Sequence, residues 1–283
     1  MNAPHELKET TRLRAPRESV AMRPPPIPPS VDILGFPICV LDTDQLVETA
    51  VAHALARTPL TLSYVNAHVI NLAGRHKRLA DALRQADVLF ADGVSVVWAS
   101  RWADARLPER MTANDYYPRF MSRCAEEGLR VFLLGGRLGV AEKAAAAMRA
   151  VEPSLRIVGT HHGQFNATSD DEVVARINAA NVDVLLTGLS TPRQEIFLSQ
   201  HRDRLRVPVR WCVGAMLDYW AGLESPAPAW AGRWGAEWLY RLAVDPVGKW
   251  RRYLLGNPRF VFNTLCWSLR SRSAPQVEPR RCQ

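Results

Sequence analysis

Between Pro59 and about Gly222 the chain alternates short apolar runs with helix-length segments, and this alternation limits its fold more than any other feature. The apolar runs are LTLSYVNA, VLFA, LRVFLLGG, LRIVGTHHG, VDVLLTGLS and VPVRWCVG. They are too short for buried helices, and several lack the in-out alternation of a half-exposed strand, so they read as strands covered on both faces. The segments between them carry helical periodicity: VINLAGRHKRLADALRQ, GVSVVWASRWA, YYPRFMSRCAEEG, GVAEKAAAAMRAV, DDEVVARINAAN, PRQEIFLSQHRDRL and the short MLDYWAG. Strand and helix in regular succession imply an α/β fold, Rossmann-like, with a mostly parallel sheet and helices on both faces. In such sheets ligands bind at the carboxyl edge of the strands.

The ends of the chain follow other rules. Residues 1–30 have no apolar period and contain PPPIPP, the composition of a disordered tail. VDILGFPICVLD predicts a short N-terminal β-hairpin turning at Gly-Phe-Pro. Asp42-Thr43-Asp44 has the D-x-D shape of a metal site, but Asp42 and Gln45 also have capping-box spacing, and the cap is favoured because no further carboxylate is near to complete an oxygen cage. After the Pro-rich ESPAPAW the strands stop. Trp230, Trp234 and Trp238, with Leu242, recur every four residues and share one helix face, which suits either packing on the main domain or a membrane interface. The expected organisation is a tail at 1–30, an α/β catalytic domain at 31–224, a helical C-terminal appendage at 225–271 and a tail at 272–283.

The net charge of +8 is concentrated in that last part, since residues 226–283 hold ten Arg and Lys against three acids. Such an end can meet nucleic acid, an anionic membrane surface or a phosphorylated substrate. The five cysteines are scattered without a CxxC pair, which argues against a disulfide framework or a zinc site. No apolar stretch of membrane-spanning length occurs, and residues 1–30 lack the apolar core of a secretion signal, so a cytoplasmic location is expected.

Several residues fall where chemistry is expected. Asp92 follows VLFA and precedes Gly93, which puts it at the carboxyl edge of a strand, where it can cap the next helix or act on a ligand. Gly135 and Gly136, in GGRLG, open a strand-to-helix turn able to receive phosphate on its backbone N–H groups. The full G-x-G-x-x-G dinucleotide fingerprint is missing because position 137 is Arg, which counts against a nicotinamide-dependent enzyme. In Thr191-Pro192-Arg193-Gln194-Glu195, Thr191 suits an N-cap and Pro192 the first helical position, leaving Gln194 either to reach a sugar hydroxyl or to solvate the turn. Ser169 and Glu172 also have capping-box spacing. Asp218 can accept from a base or ribose hydroxyl, or cap locally, and the His161-His162 pair lacks a third metal ligand.

Eight ordered motifs, VNAH, ADGVSVVWAS, LPERMTAND, VFLLGGRLGVAEKA, IVGTHHGQF, GLSTPRQE, VGAMLDYWAG and EWLYRLAVDP with KWRRYLLGNPRF, resemble the bacterial WecG/TagA/CpsF glycosyltransferases from about Leu34 to Phe262. The resemblance implies an inverting enzyme that moves a hexose or N-acetylhexosamine, or its uronic acid, from a UDP-sugar to a polyprenyl-diphosphate-linked sugar in cell-surface polysaccharide assembly. It implies Asp92 as general base, and Asn66, Arg110 and Gln194 in the substrate cleft. It also implies that an appendage supplies Arg241, Arg251 and the adjacent Arg252 to diphosphates and brings the enzyme to the inner face of the membrane. Neither a metal nor another cofactor is expected, and nucleic acid is not an expected partner, whereas a homo-oligomer is compatible with such a chain. Where the family usually has Thr before the x-Asn pair, this chain has Tyr64, whose bulk reshapes the expected sugar pocket. The competing readings are a basic nucleic-acid- or membrane-binding module without catalysis and another nucleotide-dependent α/β enzyme.

Overall fold

The computed structural model describes residues 24–102, 106–166, 168–225, 227–228, 231 and 237–272. Most of the two expected tails lies outside the described residues, as do Trp230 and Trp234 of the tryptophan stripe. Ordered contacts begin before Val31: Ile27 packs against the core and the Pro29 carbonyl accepts from Val40 N at 2.8 Å.

A two-stranded antiparallel hairpin, β1 (Ser30–Ile33) and β2 (Phe36–Cys39), comes first. Its turn is Leu34-Gly35, one step earlier than expected, because both residues adopt positive φ (57° and 82°), while Phe36 and Pro37 pair with Ile33 and Asp32. Helix α1 (Thr43–Ala56) starts with the expected capping box between Asp42 and Gln45. Asp44 pairs with Arg119 at 2.5 Å, so both acids of D-x-D are engaged within the protein.

The main sheet contains β3 (Leu60–Val65), β4 (Val88–Ala91), β5 (Arg130–Gly135), β6 (Arg156–His161), β7 (Val184–Gly188) and β8 (Val209–Cys212). All its pairings are parallel, in the order β4-β3-β8-β7-β5-β6. Helices α1, α5 (Ala113–Glu126), α6 (Val140–Val151) and α9 (Met216–Trp220) share one apolar cluster with it. The other face is covered by α2 (Ala67–Ala73), α3 (Lys77–Arg84), α4 (Val94–Trp102), α7 (Asp170–Ala179) and α8 (Arg193–Gln200). The segment read as one helix over residues 69–85 is two: α2 stops at Gly74, and His76 caps α3 by accepting from Leu79 N at 3.3 Å.

Two predicted caps are replaced by other bonds. Ser169 donates its hydroxyl to Asn166 Oδ1 at 3.2 Å and does not cap α7. Helix α8 begins at Arg193, and Thr191 donates to Glu195 Oε1 at 2.8 Å.

Although VLFA is fully buried, β4 lies at the edge of its sheet. Strand β2 packs against it, and past its end Asp92 N donates to Val65 O at 2.8 Å while Gly93 N donates to Met111 O at 3.0 Å. The backbone at 92–93 is therefore held from both sides. After the sheet come α10 (Glu237–Val244), α11 (Pro246–Trp250), a π-helical turn at Arg251–Leu255 and α12 (Gly256–Arg272). Helix α12 packs on α2 and α4, where Asn71 Nδ2 donates to Gly256 O at 2.7 Å and Phe260 is buried.

Candidate active site

The carboxyl ends of β3, β4 and β8 open into a cleft of about 310 Å³ closed over by α10, the π turn and α12. Asp92 lies on its wall. Asn66 Oδ1 caps α2 by accepting from Val69 N at 3.1 Å, so its amide nitrogen is left to face Asp92, and it donates to Asp92 Oδ2 at 3.0 Å. The helix cap thus orients the donor that holds the carboxylate. Burial raises the Asp92 carboxyl above the ordinary range. The Asn66 hydrogen bond and the charges of Arg241 and Arg252 pull it down, and Glu237 pushes it up, but burial prevails.

Three arginines share the cleft with Asp92: Arg110, Arg241 and Arg252. Arg110 forms an ion pair with Glu237 of α10, linking the body of the protein to the segment above it. Arg241 lies over the Tyr219 ring at 5.6 Å and Arg252 over the Tyr253 ring at 5.4 Å. Neither forms an ion pair among the described residues, and Arg252 Nε is buried without a hydrogen-bond partner there. Two such guanidiniums beside a carboxylate form a site for an anion whose neighbouring group loses a proton. Arg251 does not join them. Adjacent residues of a helical turn point in different directions, and Arg251 is exposed, stacked on Trp250 at 5.3 Å.

Tyr64 lines the cleft beside Asn66, and Gln194 stands behind it. Gln194 is fully buried. Its Nε2 donates to Glu195 Oε1 at 2.8 Å and, at 3.4 Å, to the Tyr64 hydroxyl, while its Oε1 accepts from Gly214 N at 3.0 Å. Both ends of the amide are engaged within the protein, so Gln194 positions Tyr64 and the Gly214 loop, and the expected reach to a sugar hydroxyl is not what this arrangement offers. A Cβ at Gly214 would come within 2.5 Å of the Tyr64 hydroxyl, and its φ is +58°, so glycine is required where the loop passes the ring.

The family model for glycosyl transferases of the WecG/TagA/CpsF family matches residues 31–274. The chain belongs to that family. This glycosyltransferase is also 28% identical over 205 residues to the N-acetylglucosaminyldiphosphoundecaprenol N-acetyl-beta-D-mannosaminyltransferase of Bacillus subtilis (strain 168), a match covering 72% of this chain and 78% of the relative.

A second cleft of the glycosyltransferase, of about 500 Å³, opens at the ends of β5, β6 and β7 and includes Gly136, Gly163, Ser190 and Asp218. Helix α9 separates the two, with Met216 and Tyr219 facing the first and Asp218 the second. Burial and nearby Glu224 raise the Asp218 carboxyl, and Arg137 lowers it, for a net rise. The glycine pair is used differently from the expected phosphate cradle. Gly136 N already donates to Gly188 O at 3.3 Å, and a Cβ on Gly135 would lie 2.3 Å from that same oxygen, so Gly135 serves the close approach of β5 to β7.

Sequence reasoning missed Glu237, Tyr116, Tyr219 and Tyr253, all on the first cleft. Tyr219 stands next to Asp218 in a motif already singled out, a usable signal, but the Glu237–Arg110 pair spans 127 positions and leaves no local trace. Trp98 and Trp102, four residues apart on α4, were also readable as one helix face. His161 and His162 gather no third ligand, and no cluster of three metal-binding side chains occurs among the described residues.

Proposed function

We propose that this glycosyltransferase moves a hexose or N-acetylhexosamine, including its uronic acid, from a UDP-sugar to a polyprenyl-diphosphate-linked sugar, with inversion, in cell-surface polysaccharide assembly. The observation that carries the reading is the juxtaposition of Asp92, held by Asn66, with the unpaired Arg241 and Arg252 in one cleft. The named activity of the Bacillus relative supports the lipid-linked acceptor and places N-acetylmannosamine among the donors to try first.

In this reading Asp92 takes the proton of the acceptor hydroxyl as that oxygen attacks the anomeric carbon from the face opposite UDP. A carboxylate whose proton affinity has been raised is a better base at neutral pH than an exposed one. Arg241 and Arg252 compensate diphosphate charge, and Arg110 joins them when it leaves Glu237. The nucleoside occupies the second cleft, where Asp218 accepts from a base or ribose hydroxyl. With Asp42 capping a helix and Asp44 paired to Arg119, D-x-D is not arranged as a ligand pair, and turnover is expected to survive chelation of divalent ions.

Exposed Leu239, Val247, Trp250, Leu254 and Leu255 beside Lys249 and Arg251 suit an anionic membrane surface, so the protein works at the periphery of the inner face. No helix among the described residues is long and apolar enough to cross a membrane. The test is a panel of UDP-sugars offered with undecaprenyl-diphosphate-linked N-acetylglucosamine in detergent, with and without chelator. Turnover with one donor is expected; none with any donor would overturn the proposal.

A further inference from the structure

The first cleft does not end at its polar residues. Its outer wall is formed by Trp98 and Trp102 of α4 and Val261 of α12, which are 50%, 38% and 42% exposed. Trp98 and Trp102 are one helical turn apart and share a face. On α12, Leu265 and Leu269 repeat the position of Val261 at four-residue intervals and are likewise exposed, which extends an apolar stripe about 12 Å along the helix. Helices α4 and α12 pack against each other, so tryptophans and stripe belong to one surface. Large apolar side chains left in water beside a cleft mark a binding surface.

What lies at the inner end of this surface identifies its occupant. Arg252, with its unpartnered Nε, and Arg241 line the same cleft as the two tryptophans, so a ligand whose diphosphate is held by the arginines can lay the chain attached to it against the tryptophans. We infer that Trp98, Trp102 and the Val261–Leu265–Leu269 stripe form a subsite for the first isoprene units of the acceptor's polyprenyl chain. The inference rests on the acceptor class proposed above. It makes α4, the helix that follows Asp92, a reader of the lipid as well as a support for the base.

Binding of inorganic diphosphate and undecaprenyl diphosphate in detergent, measured on wild type, Trp98→Ala and Trp102→Ala, tests the subsite without any turnover. Wild type is expected to prefer the lipid, and each variant to lose about tenfold in affinity for it with little change for inorganic diphosphate. In turnover the same variants should show a raised KM for the undecaprenyl acceptor at unchanged kcat. Equal wild-type affinity for the two ligands, or equal losses on both in the variants, would overturn the subsite. So would an equal loss of sedimentation with acceptor-free phosphatidylglycerol vesicles that accounts for the whole defect, which would make the tryptophans a general bilayer contact. Chain-dependent binding in an enzyme that turns over no UDP-sugar would keep the subsite and remove the reaction proposed above.

Discussion

Two aspartates stand at opposite edges of the same sheet, Asp183 buried and Asp92 part-buried on the cleft wall. Asp183 precedes β7 at the amino edge and Asp92 follows β4 at the carboxyl edge. Burial pushes both carboxyls up, and the donors around each decide the outcome. Asp183 accepts from Arg130 N at 2.9 Å, from Arg130 Nε and Nη2 at 2.8 Å each, and from Arg57 Nη1 at 2.8 Å, and its carboxyl ends below the ordinary range. Asp92 receives one neutral amide, with its arginines farther off, and ends above it. One edge is satisfied and holds the fold together. The other is left short of donors, as a proton acceptor must be.

The sharpest way to break this contrast is to neutralise each aspartate in turn. Asp92→Asn should lower kcat/KM by about two to four powers of ten, the usual weight of a general base, with the fold intact. Turnover at the wild-type rate would remove Asp92 from the chemistry. Arg252→Gln and Arg241→Gln should each cost about ten- to a hundredfold, while Arg251→Gln, outside the cleft, should cost far less when assayed in detergent. If Arg251 proved the costliest of the three, the assignment of the anion site would be wrong. Asp183→Asn should instead lower stability by roughly 2 to 4 kcal/mol in denaturant unfolding and leave kcat/KM near wild type at low temperature.

These effects follow from features of unequal visibility in the sequence. The parallel sheet was readable because apolar runs and helical periods are local signals, and the Asp42–Gln45 cap because its partners are three residues apart. That β4 is an edge strand was not readable, since strand order is decided by crossovers that leave no mark in any one segment. Gln194 and Arg251 show the same limit at the scale of side chains. Their motifs give residue type and neighbourhood but not the direction of the side chain: Gln194 is held by Gly214 and Tyr64, 20 and 130 positions away, and the helical turn that carries Arg251 and Arg252 is followed by Gly256, which Asn71 holds from 185 positions away.

The pH profile sharpens the comparison further. Asp92 must be ionised to accept a proton, so kcat/KM should fall as pH drops through its raised value. Glu237 pushes that value up, and Glu237→Gln should move the acid limb to lower pH. Asn66 pulls it down, and Asn66→Ala should move the limb to higher pH. Limbs that stay in place, or move oppositely, would show that another group governs the profile.

The smallest effect is on stability, and its sign separates the two edges most cleanly. A carboxyl raised by folding favours the protonated state, so the stability of the native protein is complete below the ordinary carboxylate value and declines as pH rises through the folded one. Asp92→Asn removes that ionisation while keeping an oxygen for Asn66 to donate to. The variant should therefore match wild type in acid and have the higher Tm at neutral pH, a gain in stability at the expense of activity. Asp183 runs the other way: its lowered carboxyl stabilises the native state above the ordinary value, and that stability is lost as pH falls through the folded one. An Asp92→Asn variant less stable than wild type at neutral pH would mean that the carboxylate is satisfied where it stands, and the contrast between the two edges would vanish.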